Sequence, residues 1–549
     1  MRYLLLALSF ILFVITLDAQ HIPYRETKDQ DYMAPKIEDS PRLPGHTFRN
    51  DSIFTIQVNV DAEGNNIPDD AANEPSLGID PTDPSRMVIG WRQFDNIASN
   101  FRQAGTAITM DQGVSWANLP PIEAGVFRSD PVLATDVDGR FYYNSLAESF
   151  DCDVFSSDDL TDWSDKTPAL GGDKQWMVID NTDTASQGHI YAFWKDFFSV
   201  CPGGFTRSTD NNESYEDCSF VSPGLQRGTL AIGPDGELYA CGQQDTGFRI
   251  LRSDSARDPD AEVVWEAQRD IPLKGSLAQR AGPNPSGMLG QVWVAVDHSE
   301  NDTRGTVYLL APVSRNDNGD PADMMMSISI DGGRTWTEAF KIGNDPATTN
   351  WQWFGSVSVA PDGRVDVTWL DSRDNPGTVL SSLYYTFSLD GGQTWAEDQR
   401  LSEAFDPHLG WPQQNKIGDY FHMISDNEGA HLAWAATFNG EQDVYYSFIP
   451  AAPNVLSTRF PEGQAAVELS LSPNPTSDKI TVTLHTEISG SALLSSYDLQ
   501  GRRVHAQHIE LHPGEQTVTL DASAWAAGLH WIELQTDKDR VTSTVMITR

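Results

Sequence analysis

Basic residues are scarce in this 549-residue chain: 37 lysines and arginines stand against 78 aspartates and glutamates, a net charge of −41. Such a surplus repels nucleic-acid phosphates and anionic membrane surfaces, so neither is an expected partner. It suits the solubility of an exported protein. Long apolar runs are scarce too. Tyr3 to Leu17, preceded by Met1 and Arg2, is short for a membrane span and reads as a secretory signal (1–19), with the mature chain starting at Gln20. No later stretch approaches the roughly 20 apolar residues of a spanning helix, and no cysteine follows the signal for a lipoprotein peptidase to use. Cysteine is limited to Cys152, Cys201, Cys218 and Cys241, without C-x-x-C spacing. That argues against zinc, whereas export favours a pair of local disulfides, with three full pairings open and free buried thiols the alternative.

Catalytic signatures are missing as well: there is no G-x-S-x-G elbow, H-E-x-x-H helix or phosphate-binding loop. The histidines are scattered, no metal ligand set is expected, and no cofactor is implied; Asp-rich turns such as Asp371 to Asp374 admit a structural calcium ion, without EF-hand spacing. Helical periodicity is hard to find over most of the chain.

What is present is a repeat. Seven hairpins, each an alternating strand, a polar turn and a second strand, begin at Pro75, Pro131, Trp176, Gly228, Val292, Gly355 and Asp419. The turns Asp136 to Gly139, Pro234 to Gly236 and Pro361 to Gly363 supply the Asp, Pro and Gly of tight reversals. A second unit sits between hairpins, as Ser329-x-Asp331-x-Gly333-x-Thr335-Trp336, Ser388-x-Asp390-x-Gly392-x-Thr394-Trp395 and Thr109-x-Asp111-x-Gly113-x-Ser115-Trp116. Weaker copies fall at Ser156, Asp158 and Trp163 and at Ser208, Asp210 and Tyr215, and a decayed one between Ser253 and Trp265. Locally, Asp and Ser or Thr bond turn amides, Gly takes a positive-φ position and Trp packs beneath.

This unit resembles the Asp-box (BNR repeat) of sialidase-like β-propellers. The resemblance implies an all-β chain, with the boxes on the hairpins between third and fourth strands, facing away from the active face. Asp111, Gly113, Trp116, Asp331, Gly333, Trp336, Asp390, Gly392 and Trp395 are then structural. Seven hairpins predict seven blades, with six the alternative, and Phe54 to Val60 is placed to supply the missing outer strand that closes the ring.

After Pro450 the pattern changes. A Pro, Gly and Ala-containing linker (451–464) precedes Leu471-Ser472-Pro473-Asn474-Pro475, Lys479 to Val482, Tyr497-Asp498-Leu499-Gln500-Gly501-Arg502, Gly528-Leu529-His530-Trp531 and a last strand from Lys538. Residues 465–549 resemble the C-terminal sorting domain of type IX secretion cargo, a small β-sandwich, which implies the export machinery as a partner, a Bacteroidetes-type origin and a secreted or cell-surface protein. The expected domains are the signal, an extension (20–52), the propeller (53–450), the linker and the sorting domain.

Strand connectivity places the loops from second to third and from fourth to first strands on one propeller face. That rule selects Arg92, Arg128, Arg227, Arg373, Trp351 and Trp353 as substrate-binding residues and Asp130, Asp371, Asp419 and Tyr420 as catalytic ones, with Lys174 and Lys195 nearby. Aromatics stack on sugar rings, Arg forks hold carboxylate or sulfate, and paired carboxylates exchange protons. The F-R-I-P string of sialidases has its nearest counterpart at Phe127-Arg128-Ser129-Asp130-Pro131, in the second hairpin and without the Ile. Two functions follow as expectations: a hydrolase or lyase acting on an acidic extracellular glycan or glycoprotein, or a non-catalytic propeller that binds carbohydrate or protein.

Overall fold

In the computed structural model, residues 31–35, 43–451 and 467–548 are described, apart from 51, 165, 202, 223, 246, 474–475, 487–488, 498–502 and 537–539. The secretory signal, nearly all of the linker and the Asn474-Pro475 and Asp498 to Arg502 motifs lie outside them. The chain forms two units, Met1–Asn454 and Val455–Arg549.

The first unit is built from antiparallel four- and five-stranded sheets in chain order. Their innermost strands are Ala71–Ile79, Ser129–Thr135, Trp176–Ile179, Leu230–Ile232, Trp293–Val296, Gln352–Val359 and His422–Ser425. Each packs on the next and the last packs on the first, so seven blades close a ring. These strands coincide with the seven hairpins because period-two alternation buries both faces of each blade between neighbours. Tight turns follow the sequence signals: Gly139 has φ +85°, and a Cβ there would sit 2.4 Å from Asp80 Oδ1.

Closure comes from the N-terminal side. Phe54–Gln57 pairs with Asp443–Pro450, setting Phe54 opposite Phe448 and Gln57 opposite Tyr445, and Thr47–Arg49 adds a further strand outside it. The last blade therefore joins both ends of the unit, and no edge is left where the ring would open.

The Ser-x-Asp-x-Gly-x-Thr-Trp turns join third to fourth strands. At Asp331, Oδ1 accepts from Thr335 N (2.8 Å) and Arg334 N (3.0 Å), Oδ2 accepts from the Thr335 hydroxyl, and the Trp336 indole donates to Gly333 O at 3.1 Å. Asn212, at φ +72°, replaces the glycine in the third blade, where Tyr215 bonds its side chain. In the second blade the frame is one residue later than the sequence suggests. Ser157, not Ser156, pairs at the strand end, and Ser157 and Asp159 hold a turn one residue tighter, with Leu160 at φ +70°. Asp331→Ala is expected to lower stability by about 1–2 kcal/mol, read as a fall in melting temperature, with ligand binding on the opposite face unchanged.

One disulfide, Cys201–Cys218, forms; Cys152 and Cys241 are buried free thiols in different blades. The expected pair of staples is thus corrected to one. The Cys241 thiol instead donates to Val292 O.

The second unit is a sandwich. Val467–Ser472, Lys479–Thr486 and Gly514–Asp521 form one sheet, and Arg503–Leu511, Gly490–Tyr497, Gly528–Gln535 and Arg540–Ile547 the other, around Ile480, Val482, Leu494, Trp525, Ile532 and Leu534.

Candidate functional site

All seven blades have a residue at positive φ at the entry of their inner strand: Glu74 (52°), Asp130 (46°), Lys174 (61°), Arg227 (61°) and Phe354 (51°) in five of them, Gly290 (129°) and Gly418 (93°) in the other two. Left-handed backbone costs a non-glycine residue about 1–3 kcal/mol. Here it accompanies register shifts in the first, second and sixth blades. Glu74, Asp130 and Lys174 meet as a result at one mouth of the channel.

The cluster is held by two lysines. Lys174 Nζ lies 3.2 Å from Asp130 Oδ2, 3.2 Å from Asp173 Oδ1 and 2.7 Å from Asp419 Oδ2. Lys416 Nζ lies 2.6 Å from the same Asp419 oxygen and 3.1 Å from Glu74 Oε1, which Arg92 approaches at 3.3 Å. Lys195 closes on Asp173. Asp419 Oδ1 accepts from Met288 N at 2.7 Å, and the Tyr420 hydroxyl donates to Pro131 O at 2.6 Å. Below this layer Trp176, Trp293 and His422 fill the channel with ring centroids 4.9–5.8 Å apart.

Charge states follow from burial against pairing. Burial opposes ionisation of Asp130 and Asp419, yet Lys174 with Arg92, and Lys174 with Lys416, hold the two carboxylates below their usual range. Burial also opposes the Lys174 charge, but Asp130, Asp173 and Asp419 raise it well above the ordinary value. Glu74 differs: burial pushes it up to about 7 against the pull of Arg92, and its Oε2 has no hydrogen-bond partner among the described residues. Burial drives His422 down to about 4, so its ring is neutral and Nδ1 accepts from Leu77 N.

A two-stranded hairpin, Gln279–Ala281 with Asn284–Met288, covers this layer. Asn284 pins it by donating to Gly418 O (2.8 Å) and accepting from Ile417 N (3.0 Å). In the third blade the loop from second to third strand, tied at Cys201 to Cys218, exposes Phe197 and Phe198, with Lys195 Nζ 4.7 Å from each ring centroid.

Of the residues expected from sequence, Arg92, Asp130, Asp419 and Tyr420 come together. Asp371 does not: it pairs with Arg373 at 2.7 Å, Arg373 also holds Asp398 at 2.7 Å, and its guanidinium lies 4.4 Å from the centroid of the Tyr384 ring. Arg128 pairs with Asp153 (2.8 Å) and Glu123 and stacks on Phe155. Trp353 is fully buried, its indole donating to Ser381 Oγ, while Trp351 is half-buried against Gly282. Arg227 is half-buried and donates to Gln243 Oε1 at 3.0 Å. Glu74, Asp173 and Lys416 were not anticipated. The acid-Pro step shared by Glu74-Pro75 and Asp130-Pro131 could have flagged Glu74; nothing local marks Lys416. Among the described residues no group of three or more His, Cys, Asp or Glu is arranged to hold a metal.

Residues 470–548 match the family described as the secretion system C-terminal sorting domain. No curated protein matches the chain. Solved structures similar to it include a Dyadobacter fermentans protein of unknown function (14% identity, TM-score 0.41, 72% of this chain and 97% of that one). A polysaccharide lyase of family PL25, an ulvan lyase, shares 11% identity at TM-score 0.42 over 70% of this chain and 94% of that one. A Trypanosoma rangeli sialidase shares 10% at TM-score 0.36, over 89% and 86%. The C-terminal unit is a sorting domain, so the protein is secreted or displayed on the cell surface by the type IX route, with the export machinery as a partner. Among the described residues no helix is long and apolar enough to cross a membrane.

Proposed function

We propose that the channel mouth captures an anionic extracellular glycan and does not cleave it. The observation that carries this reading is a gathering of cations on a chain of net charge −41. Burial, then Lys174 and Arg227, hold Lys195 below its ordinary value despite Asp173. Burial, then Arg280, do the same to Arg227 against the pull of Asp173. Among the described residues neither Arg227 nor the exposed Arg280 makes an ion pair. A carboxylate or sulfate set among them relieves the mutual repulsion, and Phe197 and Phe198 offer ring faces to a sugar. Asp130, Asp419 and Tyr420 are at most 2% exposed and already bonded, which leaves them poorly placed to reach a scissile bond.

The test is titration calorimetry of the mature chain with sialylated, uronate and sulfated glycans against neutral ones, with released reducing ends assayed in parallel. Wild-type protein is expected to bind an acidic glycan without turnover, and Lys195→Ala with Arg227→Ala to weaken binding about 100-fold, the loss of two charge-assisted bonds. Turnover would instead favour the hydrolase reading, whose support is Glu74, with its carboxyl near 7 and its Oε2 without a hydrogen bond among the described residues. In that case Glu74→Gln abolishes turnover and leaves binding intact.

A further inference from the structure

We infer that a cleft between the first and second blades, away from the channel mouth, is a second binding site that takes one neutral sugar ring. The cleft holds about 720 Å³ and is walled by Leu119, Pro120, Pro121 and Ile122 of the first blade and by Phe155 and Trp163 of the second, with Thr106 at its base.

Its origin is a local departure from the blade pattern. Three residues before the Ser or Thr that opens each third-to-fourth strand turn, the blades carry a buried side chain packed between neighbours. In the second to sixth blades this is Val154, Phe205, Ile250, Met326 and Tyr385. In the first blade it is Thr106, which is shorter and polar, and the space those larger groups fill elsewhere stays open.

The second departure is on the facing wall. The indoles of Trp116, Trp336 and Trp395 donate to the glycine carbonyl of their own turns at 3.1–3.2 Å. In the second blade that glycine is replaced, the turn is one residue tighter, and Trp163 Nε1 has no acceptor among the described residues. Thr106 Oγ1 has no partner among them either, in a side chain only 1% exposed. A buried donor and a buried hydroxyl left unsatisfied both destabilise the free protein.

A sugar hydroxyl both accepts and donates, so one ring wedged between Trp163 and the Pro120-Pro121 wall can satisfy the indole N–H and the threonine hydroxyl while laying its C–H face on the indole. The flanks of Trp163, Thr161, Asp162 and Ser164, are exposed, which lets the indole pivot to admit it. The rim is balanced in charge: Lys166 lies 3.6 Å from Glu123 and 3.3 Å from Asp153, and Arg128 pairs with both acids. Nothing there selects for a charged ligand, unlike the cationic mouth.

The experiment is saturation-transfer NMR and calorimetry of the mature full chain with glucose, galactose, mannose and N-acetylglucosamine, in wild type, Thr106→Val, Trp163→Ala and the Lys195→Ala/Arg227→Ala variant. At least one sugar is expected to bind wild type, to lose detectable binding with Trp163→Ala, and to bind about fivefold more weakly to Thr106→Val. Thr106→Val is also expected to melt higher than wild type, since it removes an unpartnered buried hydroxyl; a purely structural threonine would not couple higher stability to weaker binding. No binding by any of the four sugars, or binding untouched by Trp163→Ala, overturns the proposal. Loss of the monosaccharide in the Lys195/Arg227 variant also overturns it, by placing the sugar at the channel mouth and leaving the capture reading intact.

Discussion

Replacing Lys174 by methionine is expected to destabilise the propeller by about 3–5 kcal/mol, the range for removing one partner of a buried ion network. The ammonium is the common counter-ion of Asp130, Asp173 and Asp419. Methionine matches its bulk, so packing is spared and the loss is electrostatic: of the lysines in contact with the three buried carboxylates only Lys195 and Lys416 remain among the described residues, with Arg92, Arg102 and Arg227 acting on them at longer range. Neutralising an acid at the same time, as in Lys174→Met with Asp130→Asn, is expected to restore more than half of the loss, because the remaining charges again balance. Thermal and urea midpoints of the two variants against wild type measure this. A loss below about 1 kcal/mol, the figure for exposed pairs, would mean that water reaches the layer. That result would reopen the hydrolase reading, since a substrate could then reach Asp130 and Asp419.

The second large effect concerns pH at the seam where the ring closes. Asn59, just past the N-terminal outer strand, donates to Asp443 Oδ1 at 3.0 Å and reaches Asp70 at 3.5 Å, while its own oxygen accepts from Val444 N. Both carboxyls are buried and face each other with Glu441 nearby, and no lysine or arginine is paired to them among the described residues. Burial first, and Glu441 next among the charges, push Asp443 up to about 7; burial and Asp443 raise Asp70 well above its ordinary value. Below the ordinary carboxylate value of 3.8 both folded and unfolded chains hold the proton and there is no penalty. As pH rises from there to about 7 the unfolded chain releases the proton first, so stability falls; above about 7 the folded site ionises too and the loss is complete. Stability is therefore expected to decline across this window by roughly 2–4 kcal/mol at this site. Asp443→Asn keeps the Asn59 bond through its carbonyl, and its amide donates to the Tyr445 hydroxyl. It should match wild type near pH 3, below the ordinary carboxylate value, exceed it at pH 8 and flatten the slope. A parallel slope in the variant would put the pH dependence elsewhere, Glu74 being the next candidate.

Residues two apart in a strand share a face, and that rule explains much of what was legible. The hairpin strands, the turns at Gly139 and Gly363, and the outer strand from Phe54 all lie where alternation and turn chemistry put them. The same rule failed at Trp351 and Trp353. Trp351 precedes the strand, in an isolated bridge with Ala322 and half-buried against Gly282, whereas Trp353, paired opposite Leu370 inside the strand, is sealed in the core. Asp371 and Arg373 are adjacent to a correct loop, but they satisfy each other and Asp398 instead of pointing at the axis. Lys416 was invisible because its role depends on Glu74, 342 positions away.

The strands, the seven repeated hairpins, the Asp-box turns and the export domain are written along the chain, because each depends on residues within a few positions of one another. Which charges meet is set by the closed ring alone. Ring closure brings the entries of the first, second, third and seventh blades to one point, and in that low-dielectric interior every acid must find a cation or give up its charge. Asp130 and Asp419 found lysines and remain ionised; Asp70, Asp443 and Glu74, with too few cations in reach, are driven toward the neutral form.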